Sequence, residues 1–383
     1  MSELHVPMIR TSERGDFKHC QWYWWHHWQN GLTTPRVPTW SWFGTAWHYA
    51  QEKRYPPGTK RGSLADVIDA FVEKCDEEHR MVYEKGGDLD QEEAHDGIEL
   101  GKAMLVAYVK HWGEDKQWQV IHTEQPFQID VRHPTSGRLI AVYCGTWDLF
   151  VWDRFDRVYR LVDHKTRASF LRDWSHFEVL DQPGSYLWVA PEVLVHLGLL
   201  NKKDAIDGIT FNMARKAMPQ AVAEDGIKYT QPKKSDFVAA ITQATGLVES
   251  GGKPFDKHTL KSLALQAKTL GLDVKGKPYT TQPAPSFARY TTRRGPGERV
   301  RQAQKVIGEA RHMEAVRRGK LPLMKNTGEH CSRCPLFDFC MLDEQDKDRA
   351  QEYAATMLVK RDPYADHREA METKGGIIVE GDE

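Results

Sequence analysis

Three runs of strand-forming residues, about 117 to 131, 139 to 152 and 157 to 166, follow one another with only short polar links between them. The links are His133-Pro134-Thr135-Ser136-Gly137-Arg138 and Asp153-Arg154-Phe155-Asp156. Links this short cannot carry a crossover, so the runs are predicted to pair as an antiparallel meander. On the middle run Ile140, Val142, Cys144, Thr146, Asp148 and Phe150 share one face, and Tyr143, Trp147, Leu149 and Val151 share the other. Both faces are largely apolar, which predicts a sheet covered on both sides. A helix follows over about 178 to 198, with Pro183 tolerated in its opening turn, and then a strand over 206 to 216. The fold class is therefore α/β (mixed α+β).

The acids on this sheet suggest chemistry. If the Asp153 to Asp156 link closes a hairpin, Asp148 and Asp163 stand nearly opposite each other, close enough to share a divalent cation. Lys165 lies two residues beyond Asp163 and so on the same strand face, where it could orient water and offset charge on a scissile phosphate. That set points to phosphodiester hydrolysis with Mg²⁺ or Mn²⁺. His48 falls in the first turns of a helix after Gly44 and is the candidate third ligand, which would shift the preference toward Mn²⁺. Gln182 and Tyr186, four apart on one helix face, would hold DNA backbone or position Lys165. Glu124, on the first strand, either reaches the same site or is a surface residue.

The rest of the chain frames this unit. At 383 residues it can form one large elaborated domain or two ordinary ones. Trp22, Tyr23, Trp24, Trp25, Trp28, Trp40, Trp42 and Trp47 crowd residues 1–60, and neighbouring rings that point in different directions are read as packing rather than as a base-stacking platform. Helical spacing from Leu64 to Cys75, and again over about 90 to 112, predicts a helical insert, and one more helix is expected near 258 to 271. The net charge of −1 conceals a basic stretch in which Arg289, Arg293, Arg294, Arg299, Arg301, Lys305, Arg311, Arg317, Arg318 and Lys320 face three acids. It either tracks phosphates or is a solvated helix face. From Asp343 onward the tail leans acidic, ending in Glu380, Asp382 and Glu383, and is expected to be at least partly disordered. No run of about 18 apolar residues exists and the N-terminus lacks a signal-like apolar stretch, so no membrane association and a cytoplasmic location are expected.

Six cysteines in such a chain suggest thiols or metal ligands rather than a disulfide framework. Cys331, Cys334 and Cys340, in Cys-x₂-Cys-x₅-Cys spacing, offer three thiolates to one centre. Cys20 is the best fourth candidate, because Cys75 lies on an apolar helix stripe and Cys144 inside a strand. Zinc, with Cys20 or His330 completing the set, is the alternative to an iron-sulfur group.

The order His48, then Gly145-Thr146-Trp147-Asp148, then Asp163-His164-Lys165-Thr166, then Gln182-x-x-x-Tyr186 resembles the RecB-like branch of the PD-(D/E)xK nuclease superfamily. The resemblance implies a restriction-endonuclease-like core, a central mixed sheet flanked by helices. It implies metal binding by His48, Asp148 and Asp163, catalysis by Lys165, and support of site and DNA by Gln182 and Tyr186. One N-terminal cysteine and three C-terminal ones around such a core resemble iron-sulfur nucleases, including the AddB nuclease domain and the CRISPR-associated Cas-four exonucleases, which implies a four-iron four-sulfur (4Fe-4S) cluster on Cys20, Cys331, Cys334 and Cys340. The compact layout looks like stand-alone phage or prophage exonucleases.

The expected division is 1–60, the aromatic segment with Cys20 and His48; 61–115, the helical insert; 116–217, the core sheet and Gln/Tyr helix; 218–286, an accessory insertion; 287–345, the basic segment and cysteines; and 346–383, the tail. The resemblance covers about residues 15 to 55, 117 to 216 and 287 to 342 and not the long insertions. It implies a DNA exonuclease acting on ends or single strands, with 5′-to-3′ polarity, in recombination, repair or phage DNA processing. A catalytically silent DNA-end-binding or assembly module and a CRISPR spacer-acquisition nuclease are the alternatives. No Gly-x-x-x-x-Gly-Lys-Ser/Thr motif occurs in the chain, so if a motor is needed it is expected to be another polypeptide, and the expected partners are DNA and a separate helicase or recombination protein.

Overall fold

The polar link after Trp152 folds as a tight turn because the Asp153 carboxylate accepts hydrogen bonds from the Phe155 and Asp156 N–H groups at 3.0 and 3.1 Å, while Arg157 takes a left-handed φ of +58°. In this computed structural model the described residues are 6–36, 39–84, 86–170, 174–219, 227–246, 255, 257–280 and 285–379, without the side chains of 39 and 40. Chain order begins with β1 (Met8–Ile9), α1 (Thr11–His19), α2 (Gln21–Trp24), β2 (Leu32–Thr33), α3 (Thr39–Arg54), α4 (Leu64–Glu84) and α5 (Gln91–Trp112). The meander is β3 (Trp118–Arg132), β4 (Leu139–Asp153) and β5 (Val158–Arg167), followed by α6 (Asp181–His196) and β6 (Ile206–Arg215). Next come α7 (Lys234–Thr245), α8 (Leu260–Thr269), β7 (Phe287–Thr292), α9 (Pro296–Arg317), α10 (Phe337–Gln345), α11 (Lys347–Met357), β8 (Val359–Lys360), α12 (Ala365–Thr373) and β9 (Ile377–Val379).

The main sheet runs β7-β6-β5-β4-β3-β9, with β1 added parallel to β4. β3, β4 and β5 pair antiparallel, β5 and β6 parallel, and β6 and β7 antiparallel, so the sheet is mixed. Adjacent residues Leu161 and Val162 enter different cores, the first with α6 and α9 and the second with α3, α4 and α5. Successive strand residues point to opposite faces, so helices cover both sides, as the two apolar faces of β4 predict. The aromatic segment packs: Trp22, Trp24, Trp28, Trp42 and Trp47 are all buried, while the Trp40 side chain lies outside the described residues. Among the described residues no helix is long and apolar enough to cross a membrane.

Two compact units result, Met1–Ala217 with Phe287–Glu383, and Met218–Ser286. The second has its own small core of Ile241, Phe255, Leu263 and Ala267 between α7 and α8.

Two readings of the sequence are narrowed. The tail is not disordered over its described residues: Ala350 and Leu358 pack on Trp22 and Phe339, β8 pairs with β2, and β9 joins the main sheet beside β3. Its few apolar residues are spaced to dock, which overrides its acidic composition; Glu380, Asp382 and Glu383 lie outside the described residues. Most cations of the basic stretch have partners within the fold. Arg289 pairs with Asp115, Arg293 with Asp207, Arg294 with Glu178, Lys305 with Asp181, Arg317 with Glu13 and Arg318 with Glu314. Arg299 donates to the carbonyls of Arg294 and Ile206. The remaining three, Arg301, Arg311 and Lys320, are exposed.

Candidate active site

The hairpin ladder between β4 and β5 runs from Asp153 opposite Val158 to Leu149 opposite Val162, and there it stops. β5 continues along β6 and β4 along β3, so the sheet forks. Asp148 and Asp163 are the first residues past the last pair. Instead of a ladder bond, the His164 N–H donates to Asp148 Oδ2 at 2.5 Å. Both acids are buried, and buried carboxylates require partners.

Their partners assemble the site. α3 carries His48, whose Nδ1 lies 3.1 Å from Asp148 Oδ2. Glu124 sits across from Asp148, between the pairs Thr123 with Leu149 and Gln125 with Trp147, and has a left-handed φ of +47°. Such a backbone in a residue with a Cβ costs roughly 1 kcal/mol or more, and here it breaks the ladder beside the metal candidates. The potential ligand atoms of His48, Glu124 and Asp148 all lie within 4.8 Å of one another.

Asp163, expected as a ligand, is not a member of that group. Lys165 Nζ lies 3.1 and 2.8 Å from its two oxygens, and Gln182 Nε2 donates to Oδ1 at 3.1 Å. The nearer oxygen, Oδ2, lies off the hydrogen-bonding direction of Lys165, so this buried atom keeps an acceptor position open. Glu124, whose reach to the site the sequence left open, takes the third place. One imidazole nitrogen and carboxylate oxygens, with an orphaned buried oxygen beside them, suit Mn²⁺ or Mg²⁺.

The electrostatics agree. Burial and then the charge of Asp148 push the Glu124 carboxyl up to about 8. Burial works against a charged His48, but Asp148 outweighs it and raises the imidazole to about 8. Asp148 is buried too, yet the His48 charge and hydrogen bond hold it well below the usual carboxylate range. Burial raises Asp163 and drives His164 down to about 3, leaving that imidazole neutral. At pH 7 a cation must therefore displace protons from His48 and Glu124. Titration calorimetry with Mn²⁺ at pH 7, in buffers of different ionisation enthalpy, should report release of about one to two protons per ion. Affinity should rise with pH and level off above about 8, where both groups have lost their protons. Binding without proton release would contradict this ligand set.

Gln182 and Tyr186 brace the fork from α6. Gln182 holds Asp163, while the Tyr186 hydroxyl donates to the Thr146 carbonyl at 2.8 Å, two residues before Asp148. Behind β5, Asn212 Nδ2 lies 2.9 Å from His164 Nδ1 and donates to the Tyr108 hydroxyl at 2.5 Å. Arg289, sandwiched 3.7 and 3.6 Å from the ring centroids of Trp112 and Trp118, closes that buried network through Asp115. Sequence reading missed Glu52, although its spacing of four from His48 puts both on one face of α3. It also missed Lys374, which pairs with Glu52 at 2.8 Å and lies 3.7 Å from Glu124.

Elsewhere in the same unit, Cys20, at the junction of α1 and α2, joins Cys334 and Cys340 around Trp22, Leu336 and Phe339. Burial raises the Cys334 thiol, and the neighbouring charges of Cys20, Cys340 and Cys331 raise it further. Three of the four candidate thiols thus pack on one small cluster and Cys331 lies beside Cys334, whose N–H donates to its carbonyl at 3.1 Å, whereas Cys75 and Cys144 are buried in the main cores. His330 instead stacks edge-on against His19, with its Nε2 2.9 Å from the Asn326 carbonyl oxygen.

No curated protein matches the chain. The family comparison does find a match, to the PD-(D/E)XK nuclease superfamily over residues 12–341, a span that contains the fork, its histidine and the braces on α6. A forked mixed sheet bearing paired acids and a lysine, matched over most of its length, makes this chain a member of the PD-(D/E)XK nuclease superfamily, whose enzymes use divalent metals.

Proposed function

We propose that the protein is a divalent-metal-dependent DNA exonuclease that hydrolyses phosphodiester bonds at DNA ends or in single strands. The carrying observation is the fork, where His48, Glu124 and Asp148 gather within 4.8 Å beside the ion pair of Lys165 and Asp163. His48, Glu124 and Asp148, with the open oxygen of Asp163, would hold Mg²⁺ or Mn²⁺. Bound there, the ion would acidify water and offset charge on a phosphoryl oxygen. Lys165 orients the attacking water and stabilises charge developing on the phosphate. Asp163, itself held by Gln182, fixes the lysine, and the His164 N–H fixes Asp148. The 5′-to-3′ polarity and a role in recombination, repair or phage DNA processing rest on the resemblance to RecB-like iron-sulfur nucleases. End-labelled linear single and double strands, with circular DNA alongside, test the reading: metal-dependent loss of linear DNA alone is expected. Cleavage of circles at a similar rate would overturn the exonuclease assignment, and no cleavage would leave an end-binding module.

Cys20, Cys331, Cys334 and Cys340 would hold a 4Fe-4S cluster. Support comes from the packing of Cys20, Cys334 and Cys340 on one small cluster, with Cys331 beside Cys334. Such a centre closes a loop of about 310 residues, so its first role is to clamp the chain. Anaerobically purified protein should be brown, with broad visible absorption, and Cys334→Ser should lose both colour and thermal stability. A colourless protein containing stoichiometric zinc would replace the cluster with zinc.

A further inference from the structure

The site contains a cation that comes from outside the family match. That match ends at residue 341, yet Lys374 reaches the site from the far end of the chain. Its position is built. Lys374 follows α12, Gly375 adopts a left-handed φ of +68°, and a Cβ at Gly376 would collide with Met371. β9 then pairs parallel with β3 at Phe127, Gln128 and Ile129, just beyond Glu124, and Gln125 donates to the Gly375 carbonyl at 3.5 Å. The turn between α12 and β9 is thereby tied to the strand that carries Glu124.

The ammonium lies 2.8 Å from Glu52 and 3.7 Å from Glu124, and one third of the side chain faces solvent. Charge balance gives it a purpose. Glu52, Glu124, Asp148 and Asp163 bring four carboxylates to this end of the sheet. Lys165 and one divalent cation offset three of those charges, and Lys374 offsets the fourth. Without it, an uncompensated carboxylate would confront an entering phosphate in a partly water-excluded site, where repulsion is strongest.

We propose that Lys374 is a substrate-binding residue that contacts a DNA phosphate next to the scissile one, so that the C-terminal segment completes the nucleic-acid site. The inference rests on the nuclease reading above. Lys374→Met should weaken binding of a single-stranded oligonucleotide by about tenfold, as loss of a charge-assisted contact does. It should also lower the slope of log affinity against log salt by about 0.7, the signature of one lost phosphate contact on a single strand. Lys374→Arg should restore most of both, because a cation suffices.

Fluorescence anisotropy in Mn²⁺ on a Lys165→Ala background measures this without needing turnover, and calorimetry measures Mn²⁺ affinity in parallel. Unchanged oligonucleotide affinity and salt slope in Lys374→Met would overturn the proposal. So would a fall in Mn²⁺ affinity that accounts for the loss, since Lys374 would then act only through Glu124. Should Lys374→Met lower the melting temperature, Lys374→Arg decides: a folded arginine variant that still binds weakly defeats the proposal. Failure of the wild type to cleave any DNA would instead defeat the nuclease reading and leave the binding result interpretable.

Discussion

Lys165→Ala is expected to lower the single-turnover rate on linear DNA by about 10²- to 10³-fold, the cost of removing one donor aimed at charge that develops in the transition state. Lys165 Nζ is held 2.8 Å from Asp163 Oδ2 while more than a quarter of its side chain stays exposed, so it is oriented from behind and open in front. Substrate binding should change far less than the rate, because the uniform part of phosphate binding lies with other cations. The fold should persist: Asp163, already raised by burial, can take up a proton once its partner is gone, and Gln182 still reaches Oδ1. Rates measured with saturating enzyme against a labelled end would check this. An unchanged rate would remove Lys165 from the chemistry.

A second large effect is expected of Asp148→Asn. Asp148 links every part of the metal group: it faces Glu124, accepts from the His164 N–H and holds His48 at 3.1 Å. The amide oxygen can still accept the backbone bond, so the fork should survive. The charge is lost, however, and with it the force that keeps His48 protonated; burial then dominates and the imidazole should be neutral at pH 7. Mn²⁺ affinity should fall at least about 100-fold, since a carboxylate ligand is replaced by a neutral amide, and cleavage should fall with it. Calorimetry supplies the affinity and NMR of the His48 ring its protonation. Retention of tight Mn²⁺ binding would move the metal away from this fork.

The two predictions differ in how far the sequence reached. Lys165 and Asp148 were legible because strand alternation and a four-residue link fix which side chains face each other across a hairpin. The ladder ends one step short of Asp148 and Asp163, so the expected juxtaposition is also the place where the sheet opens. Alternation could not reveal that opening, because the fork depends on β5 following β6 while β4 stays with β3. Glu124 was visible only as an uncertain strand residue. Its contribution depends on a left-handed backbone at one position, and no periodicity encodes that.

Charge was the least legible property. Ten cations in one basic stretch read as a phosphate track or as a solvated helix face, but five of them pair with Asp115, Glu178, Asp181, Asp207 and Glu13, which lie far away in sequence. Lys374 is the converse, a single cation in an acidic tail that arrives beside Glu124.

By itself the sequence determined the meander, the helices on its two faces, the hairpin that aligns Asp148 with Asp163, and the placing of Gln182 and Tyr186 on one helix face. Each follows from turn length or from the periods of strand and helix, which act over a few residues. Only the tertiary structure decided which acids join His48, where the sheet splits, which cations are spent in ion pairs, and that the end of the chain returns to the site. Those outcomes turn on contacts between residues tens to hundreds of positions apart, selected by packing and charge pairing in the folded chain, and local periodicity carries no record of them.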